Sequence, residues 1–434
     1  MTARKAVEAA FKACLKTVDP RTTVRDVIRL SDWPDSSRIV VISFGKASIE
    51  MARGAIDSLG SSRILRTVIL APESQKSDYE NDLNKLDTNF ETVVRFGAKN
   101  NLPDQDSVSS TYSLTRAIQE LDSASTVFLF LISGGGSALL ALPKAPVTLE
   151  EKLEMISLMQ ARGATIQELN TKGLAMSLII SDVIGNPIDL IASGPTVIPT
   201  GKNESISEIL KRLEIDESKL PSSIRQVLRE PEEPITTSHP PTNLIISSNI
   251  NALGSAANYL KGAGFKPIIL TTELSGNAAE IGRKMADLIV SDTPENHEFL
   301  RGHSNLQYPL ALIFGGETTV ILPKNPGKGG RNQEMVLACL DALETRENQE
   351  KWRKSRRNFV FLSAGTDGQD GPTDAAGAII SQEDLHVPTN LESSEYLKNS
   401  DSYNFWANFN GGKSHLKTGP TGTNVMDVQV LVLE

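Results

Sequence analysis

Cysteine is nearly absent: Cys14 and Cys339 are the only two in 434 residues. They lie far apart and without metal-ligand spacing, which excludes a disulfide framework and reads as two small buried hydrophobes in a reducing compartment. Histidine is scarce as well. His239, His297, His303, His386 and His415 show neither ligand spacing nor triad partners, so a metalloenzyme or a Ser-His-Asp hydrolase has little support. No apolar run reaches the roughly 18 residues of a membrane-spanning helix. A basic excess is also lacking. Lys and Arg number 44 against 53 Asp and Glu, a net charge of −9, and they are scattered. Nucleic acid and membrane are therefore not expected partners, although a few converging cations and N–H groups can still hold a small anion. Met1–Val18 is poor in acids, as a transit peptide is. Its apolar stripe of Ala6, Ala10, Phe11 and Cys14 favours an ordinary first helix and a cytoplasmic protein.

What is present is a soluble, globular composition, 39% hydrophobic and 22% charged, on a chain long enough for two domains. Short apolar runs recur, each followed by a turn and a helical pattern: Ile39–Ser43, Thr67–Leu70, Val127–Ile132 and Leu178–Ile180. That alternation predicts a wound, mostly parallel α/β sheet. From Thr200 to Thr242 the chain turns polar, and Pro231, Pro234, Pro240 and Pro241 cluster, as in a linker. A second series follows at Asn243–Ile246, Lys266–Leu270, Leu310–Phe314, Phe359–Leu362 and Val428–Leu433. The expectation is two domains, 1–238 and 239–434.

Glycine-bearing turns follow the strands, where anions bind in such sheets. Gly45-Lys46 follows the first; a Lys at a helix start can reach a phosphate, although a solvated Lys is the commoner role of such a pair. Val40 denies it a Walker A pattern. In Ser133-Gly134-Gly135-Gly136-Ser137, successive glycines let N–H groups approach an anion, and Leu139 stands where a dinucleotide fingerprint needs its third Gly. Gly315-Gly316-Glu317-Thr318 precedes Gly329-Gly330-Arg331-Asn332, which would deliver a forked cation to a helix start; helix capping by Asn332 and Glu334 is the competing role. In Thr366–Asp374, Asp367, Asp370 and Asp374 sit among glycines, a pattern able to hold Mg²⁺ or simply to turn the chain. Ser181-Asp182 and the Thr418-to-Asn424 turn complete the set.

In their order, Ser133–Leu140, Arg162–Thr165, Ser181–Pro187, Ile191–Val197, Gly315–Thr318, Gly329–Glu334, Gly365–Asp374 and Lys417–Asn424 closely resemble the glycerate 2-kinase family. The resemblance covers nearly the whole chain. It implies a Rossmann-like N-terminal domain and a C-terminal α/β domain holding the MOFRL region, about 308–430. It also implies ATP-dependent phosphorylation of D-glycerate, with Mg²⁺, in a cleft between the domains. The family's catalytic Lys and Arg fall on Lys46 and Arg331. Ser133, Gly134, Gly135, Gly136, Ser137, Lys172, Gly316, Glu317, Thr318, Asn332, Thr418, Thr421 and Asn424 become candidates for phosphate or substrate, and Asp182, Asp367 and Asp370 for the metal. The sequence departs from the family after Asn170: a helix with an Arg-Lys pair and a Lys-Gly-Gly turn are missing, and only Thr171–Met176 remain before the next strand. Asn186 also replaces an acid. Two alternatives stay open, a shortened form with impaired activity and an oxidoreductase acting on hydroxypyruvate or tartronate.

Overall fold

The protein is seen in a computed structural model, which describes residues 1–31, 38–82, 86, 89–159, 174–198, 206–212, 214–229, 240–303, 305–355 and 357–434. Two compact units emerge, Pro20–Ser247 and a second made of Met1–Asp19 with Ser248–Glu434.

The Pro20–Ser247 unit is built on six strands: β1 Arg38–Phe44, β2 Ile64–Pro72, β3 Glu91–Gly97, β4 Thr126–Ile132, β5 Leu174–Ile180 and β6 Thr242–Ser247. They run parallel in the order β3-β2-β1-β4-β5-β6, the order of a doubly wound Rossmann-type sheet. The central strands are continuous apolar runs because helices cover both faces of such a sheet. Every residue of β4 is buried, and β1 is buried from Ile39 to Phe44. Val40, Ile42, Phe44, Phe128 and Phe130 form the heart of one core cluster, each contributing about 1.5–3 kcal/mol by burial. Helices Ile206–Arg212 and Ser222–Arg229 form a small satellite around Leu210 and Ile224.

The other unit holds β7 Lys266–Leu274, β8 Leu310–Gly316, β9 Phe359–Gly365, β10 Gly377–Ser381, β11 His415–Leu416 and β12 Asp427–Leu433. The order is β11-β10-β9-β12-β8-β7. β7 and β8 are parallel, and β12 runs antiparallel between β8 and β9. The strand latest in the sequence thus lies inside the sheet. Beneath it pack Phe314, Phe361, Leu431, Trp406 and the helix Arg331–Glu344. The Trp406 indole N–H donates to the Gln333 carbonyl (2.9 Å), so the ring is buried without an orphaned donor.

The chain divides differently from the expected 1–238 and 239–434. β6 completes the first sheet, so the boundary falls at Ser247, and the first helix, Ala3–Thr17, belongs with the C-terminal residues. Its buried stripe of Ala6, Val7, Ala10, Phe11 and Cys14 faces them. Arg4 locks it in place, donating to Asp384 (2.6 Å), to the carbonyls of Ile379 and Lys413, and to Ser414. Cys14 and Cys339 are both buried and unpaired, as expected, and burial pushes the Cys14 thiol up to about 12. Among the described residues no helix is long and apolar enough to cross a membrane.

Candidate functional site

In a sheet of this order, ligands bind beyond the carboxyl ends of β1 and β4, where the winding reverses. Both predicted turns stand there and are tied together. Ser133 donates its N–H to the Phe44 carbonyl (3.1 Å), Lys46 to the Gly134 carbonyl (2.9 Å), and Ala47 to the Ser133 hydroxyl (3.0 Å). Gly45 adopts φ 113°, and a β-carbon there would collide with Ser133, so only glycine lets the turns meet. The stem of Lys46 lies along Gly135, and the Asp182 carboxylate lies directly against Gly134, in the space a side chain would fill. Gln75 holds the Lys46 carbonyl (2.6 Å), and the hydroxyls of Ser137 and Ser193 are hydrogen-bonded (2.8 Å). Lys46, Ser133, Gly134, Gly135, Gly136, Ser137 and Asp182 therefore form one constellation. Lys172 lies outside the described residues.

A second constellation gathers in the other unit, and its topology explains why. β8 and β9 run parallel with β12 reversed between them, so the ends of β8 and β9 flank the start of β12. Asp427 stands opposite Gly316 on one side and Gly365 on the other. Arg331 opens its helix there. Its Nε and Nη2 donate to the two Asp427 oxygens (2.6 and 2.9 Å), and Nη1 contacts Glu317 (2.9 Å). Burial opposes the charge on Arg331, but the hydrogen bonds and charge of Asp427, with Glu317 and Asp370 behind, hold its pKa above the ordinary arginine value. Thr421 donates to the Thr366 carbonyl (2.6 Å), Asn424 accepts the Met426 N–H (3.0 Å), and Thr418 bonds the Gly419 carbonyl (2.9 Å). The first of these bonds, with the Val425 N–H donating to the Thr366 hydroxyl (2.9 Å), knits the turn before β12 to the turn after β9, and the other two brace the turn itself.

Two candidates turn inward. Asp370, 1% exposed, accepts the backbone and side-chain N–H groups of Asn332 and Gln333 (2.8–3.3 Å). It thereby satisfies the orphan donors at the helix start, a role the sequence suggested for Asn332 and Glu334 instead. Asn332 is wholly buried, its amide oxygen accepting from Ser363 (2.6 Å). Asp367 accepts the Gln369 N–H (3.0 Å). Among the described residues no three His, Cys, Asp or Glu side chains form a metal-holding group.

Sequence reasoning did not single out Asp427, Gln429, Lys417 or Tyr403. Asp427 is an acid heading a fully buried strand in which Gln429 is the only other polar residue, which was a readable sign. Among the described residues, both amide atoms of Gln429, two residues on and on the same face, are buried without a partner, and so is the hydroxyl of the predicted Thr318. Lys417 donates to Asp374 (3.0 Å) and to the Tyr403 hydroxyl (3.2 Å). The Tyr403 hydroxyl in turn donates to Asp374 (2.6 Å), and that bond first, with the one from Lys417 second, brings the Asp374 carboxyl down to about 2. Nothing in local spacing signals that cluster.

Comparisons with known proteins speak to the family and the fold. Residues 6–172 and 172–229 match a family described as a domain of unknown function, DUF4147, and residues 310–427 match the MOFRL family. An uncharacterized protein of Caenorhabditis elegans is 52% identical, with all of both chains covered. A glycerate kinase of Rattus norvegicus is 36% identical over 91% of this chain and 84% of its own. The crystal structure of a glycerate kinase from Thermotoga maritima superposes with a TM-score of 0.79, at 30% identity and covering 99% of each chain.

Proposed function

The chain belongs to the glycerate kinase family, and from that premise we propose that it transfers the γ-phosphoryl group of ATP to D-glycerate, giving 2-phosphoglycerate. The observation that carries this reading is the position of Lys46, at the point where the sheet reverses its winding and against the Ser133–Ser137 turn. Phosphoryl transfer calls for positioning and charge neutralisation more than for covalent chemistry. Lys46 and Arg331 supply fixed positive charge, and the glycine turns supply backbone N–H groups. The residues present also suit Mg²⁺. Such an ion is held by one or two carboxylates together with phosphate oxygens, and Asp182, against the Ser133–Ser137 turn, is an acid suited to it, whereas the Asp370 oxygens serve the helix start. Bound there, the ion would neutralise phosphate charge.

An oxidoreductase has less support. Buried Leu139 occupies the third-glycine position, and the helix after the turn, Gly136–Leu139, is only four residues long, too short for the helix N-terminus that receives a pyrophosphate. A coupled assay of ATP consumption on D-glycerate, beside a nicotinamide titration, separates the two. Turnover of hydroxypyruvate with a nicotinamide and none with ATP would overturn the kinase reading.

A second reading has its own observation. The DUF4147 match breaks at residue 172, and the alignment with the nematode relative runs over 471 positions against the 434 residues here. This supports a chain shortened near the catalytic turns. Displacements of ~1 Å can cost ~10²-fold, so we expect this form to bind ATP but turn over D-glycerate far more slowly than a version with the segment restored. Equal kcat from the two versions would show the segment to be dispensable.

A further inference from the structure

We propose that Asp427 is the positioning residue of Arg331: it grips one edge of the guanidinium so that the other edge is offered to the anion. The inference rests on the kinase reading for the identity of that anion, but not for the grip itself. A guanidinium presents five N–H groups in a rigid plane. Asp427 takes the side edge, Nε and Nη2, through two parallel hydrogen bonds of 2.6 and 2.9 Å. This fork-to-fork geometry fixes orientation as well as charge. The end edge, Nη1 with the second hydrogen of Nη2, is left for a phosphate or carboxylate, and Glu317 touches it at Nη1 (2.9 Å).

The two carboxylates differ in how firmly they are held. Asp427 is 0% exposed, and its backbone is fixed by β8 and β9 on both sides and by the Asn249 amide, which donates to its carbonyl (2.9 Å). The strand residues opposite it on both sides are glycines, Gly316 and Gly365, which leaves its side chain room at the sheet end. Glu317 is 47% exposed at its side chain, and an exposed pair of this kind is weak and readily exchanged. An oxyanion can therefore replace Glu317 on the end edge without disturbing the buried edge. Gly330, extended at φ −153°, leads directly into Arg331, so the Arg331 backbone is held by the helix start and its tip by Asp427.

The test reads the guanidinium directly in the full chain. The Arg331 Nε–H signal is assigned in a nitrogen-15 spectrum by its loss in Arg331→Lys. We expect it to exchange slowly with solvent in the native chain. In Asp427→Asn it should exchange at least about 10-fold faster, with the near-ultraviolet circular dichroism unchanged. An Nε–H equally protected in Asp427→Asn overturns the proposal. Should that variant fail to fold, Asp427→Glu, which keeps the charge but lengthens the reach, is read in the same way. Saturating 2-phosphoglycerate should shift the Nη signals and leave Nε in place, and the reverse pattern overturns the edge assignment. Calorimetry on the same sample separates the two ideas, since no binding heat counts against the kinase reading while the exchange result still judges Asp427. In steady state, Asp427→Asn should lower kcat about 10–100-fold in the native background and less than about 2-fold in Arg331→Lys, because residues that act as a unit are not additive. Equal losses in the two backgrounds would mark Asp427 as merely structural.

Discussion

Lys46 and Arg331 carry the same charge but are held by different means. The Lys46 stem lies along the bare backbone of Gly135, and its ammonium has no ion-pair partner among the described residues. Arg331 is clamped between Asp427 and Glu317. Replacing either by Ala should lower kcat about 10²–10³-fold, as loss of a single electrostatic donor does, with the thermal midpoint barely moved for Lys46→Ala. Arg331→Lys should also be poor, because one ammonium cannot reproduce the fork; near-normal turnover in it would show that geometry at this position is unimportant. A separate expectation concerns pH. Burial, with the Asp370 charge nearby, raises the Glu334 carboxyl from 4.5 to about 7 against the opposing pull of Ser400 and Arg283. Between those pH values the folded state keeps a proton that the unfolded chain releases, so stability is fullest below 4.5 and falls as pH rises through about 7. Glu334→Gln should flatten that slope, gaining about 1–3 kcal/mol relative to the parent at pH 8 compared with pH 5, read from urea midpoints. The same helix start shows where sequence reading ends. That Arg331 opens a helix was legible, because a glycine turn before an apolar periodic run marks a helix start. Asp370 read as a metal ligand because spacing along the chain cannot reveal that its partners are the N–H groups of residues 332 and 333.

At the scale of elements, strands buried on both faces, such as β1, β4 and β8, were disclosed by apolar runs with one physical meaning, and β6 and β7 were disclosed by apolar runs although they are partly exposed. β3 was missed because it is half-exposed and carries Glu91 and Arg95, and β10 because five residues opening on a glycine give little pattern. The first helix was recognised, but its destination was not. An amphipathic stripe states that a face must be covered without naming what covers it. The Arg4 contact supplies the address. Asp384 is 2% exposed at its side chain and Arg4 22%, so Arg4→Ala leaves a nearly buried carboxylate short of its cation. We expect a loss of about 3 kcal/mol in unfolding of the unit that contains the helix, with little change in the Pro20–Ser247 unit, resolved by hydrogen exchange. A double change of Arg4 and Asp384 to Ala should cost less than the sum of the two single changes.

For the molecule as a whole, the chain begins one unit, completes another, and returns to finish the first. This order has a consequence during synthesis. The Pro20–Ser247 unit has all its strands once β6 has emerged from the ribosome, and it can close while translation continues. The first helix, made earlier, must keep its apolar stripe in solution or on a chaperone until its partners arrive. The main one, the helix Asn249–Gly262, follows β6 directly, but the Arg4 partners Asp384 and Ser414 come much later, and β12, which follows every other strand in sequence, lies between β8 and β9. Nascent chains stalled after Ser247 should therefore already protect β1 and β4 from protease, whereas chains stalled just before Asp427 should still expose β8 and β9. Protection of β8 in the latter would show that the sheet can form around an empty lane. If the lane must instead be filled, the Asp427 grip on Arg331 is among the last contacts made, and this unit's candidate site takes its final form only as translation closes.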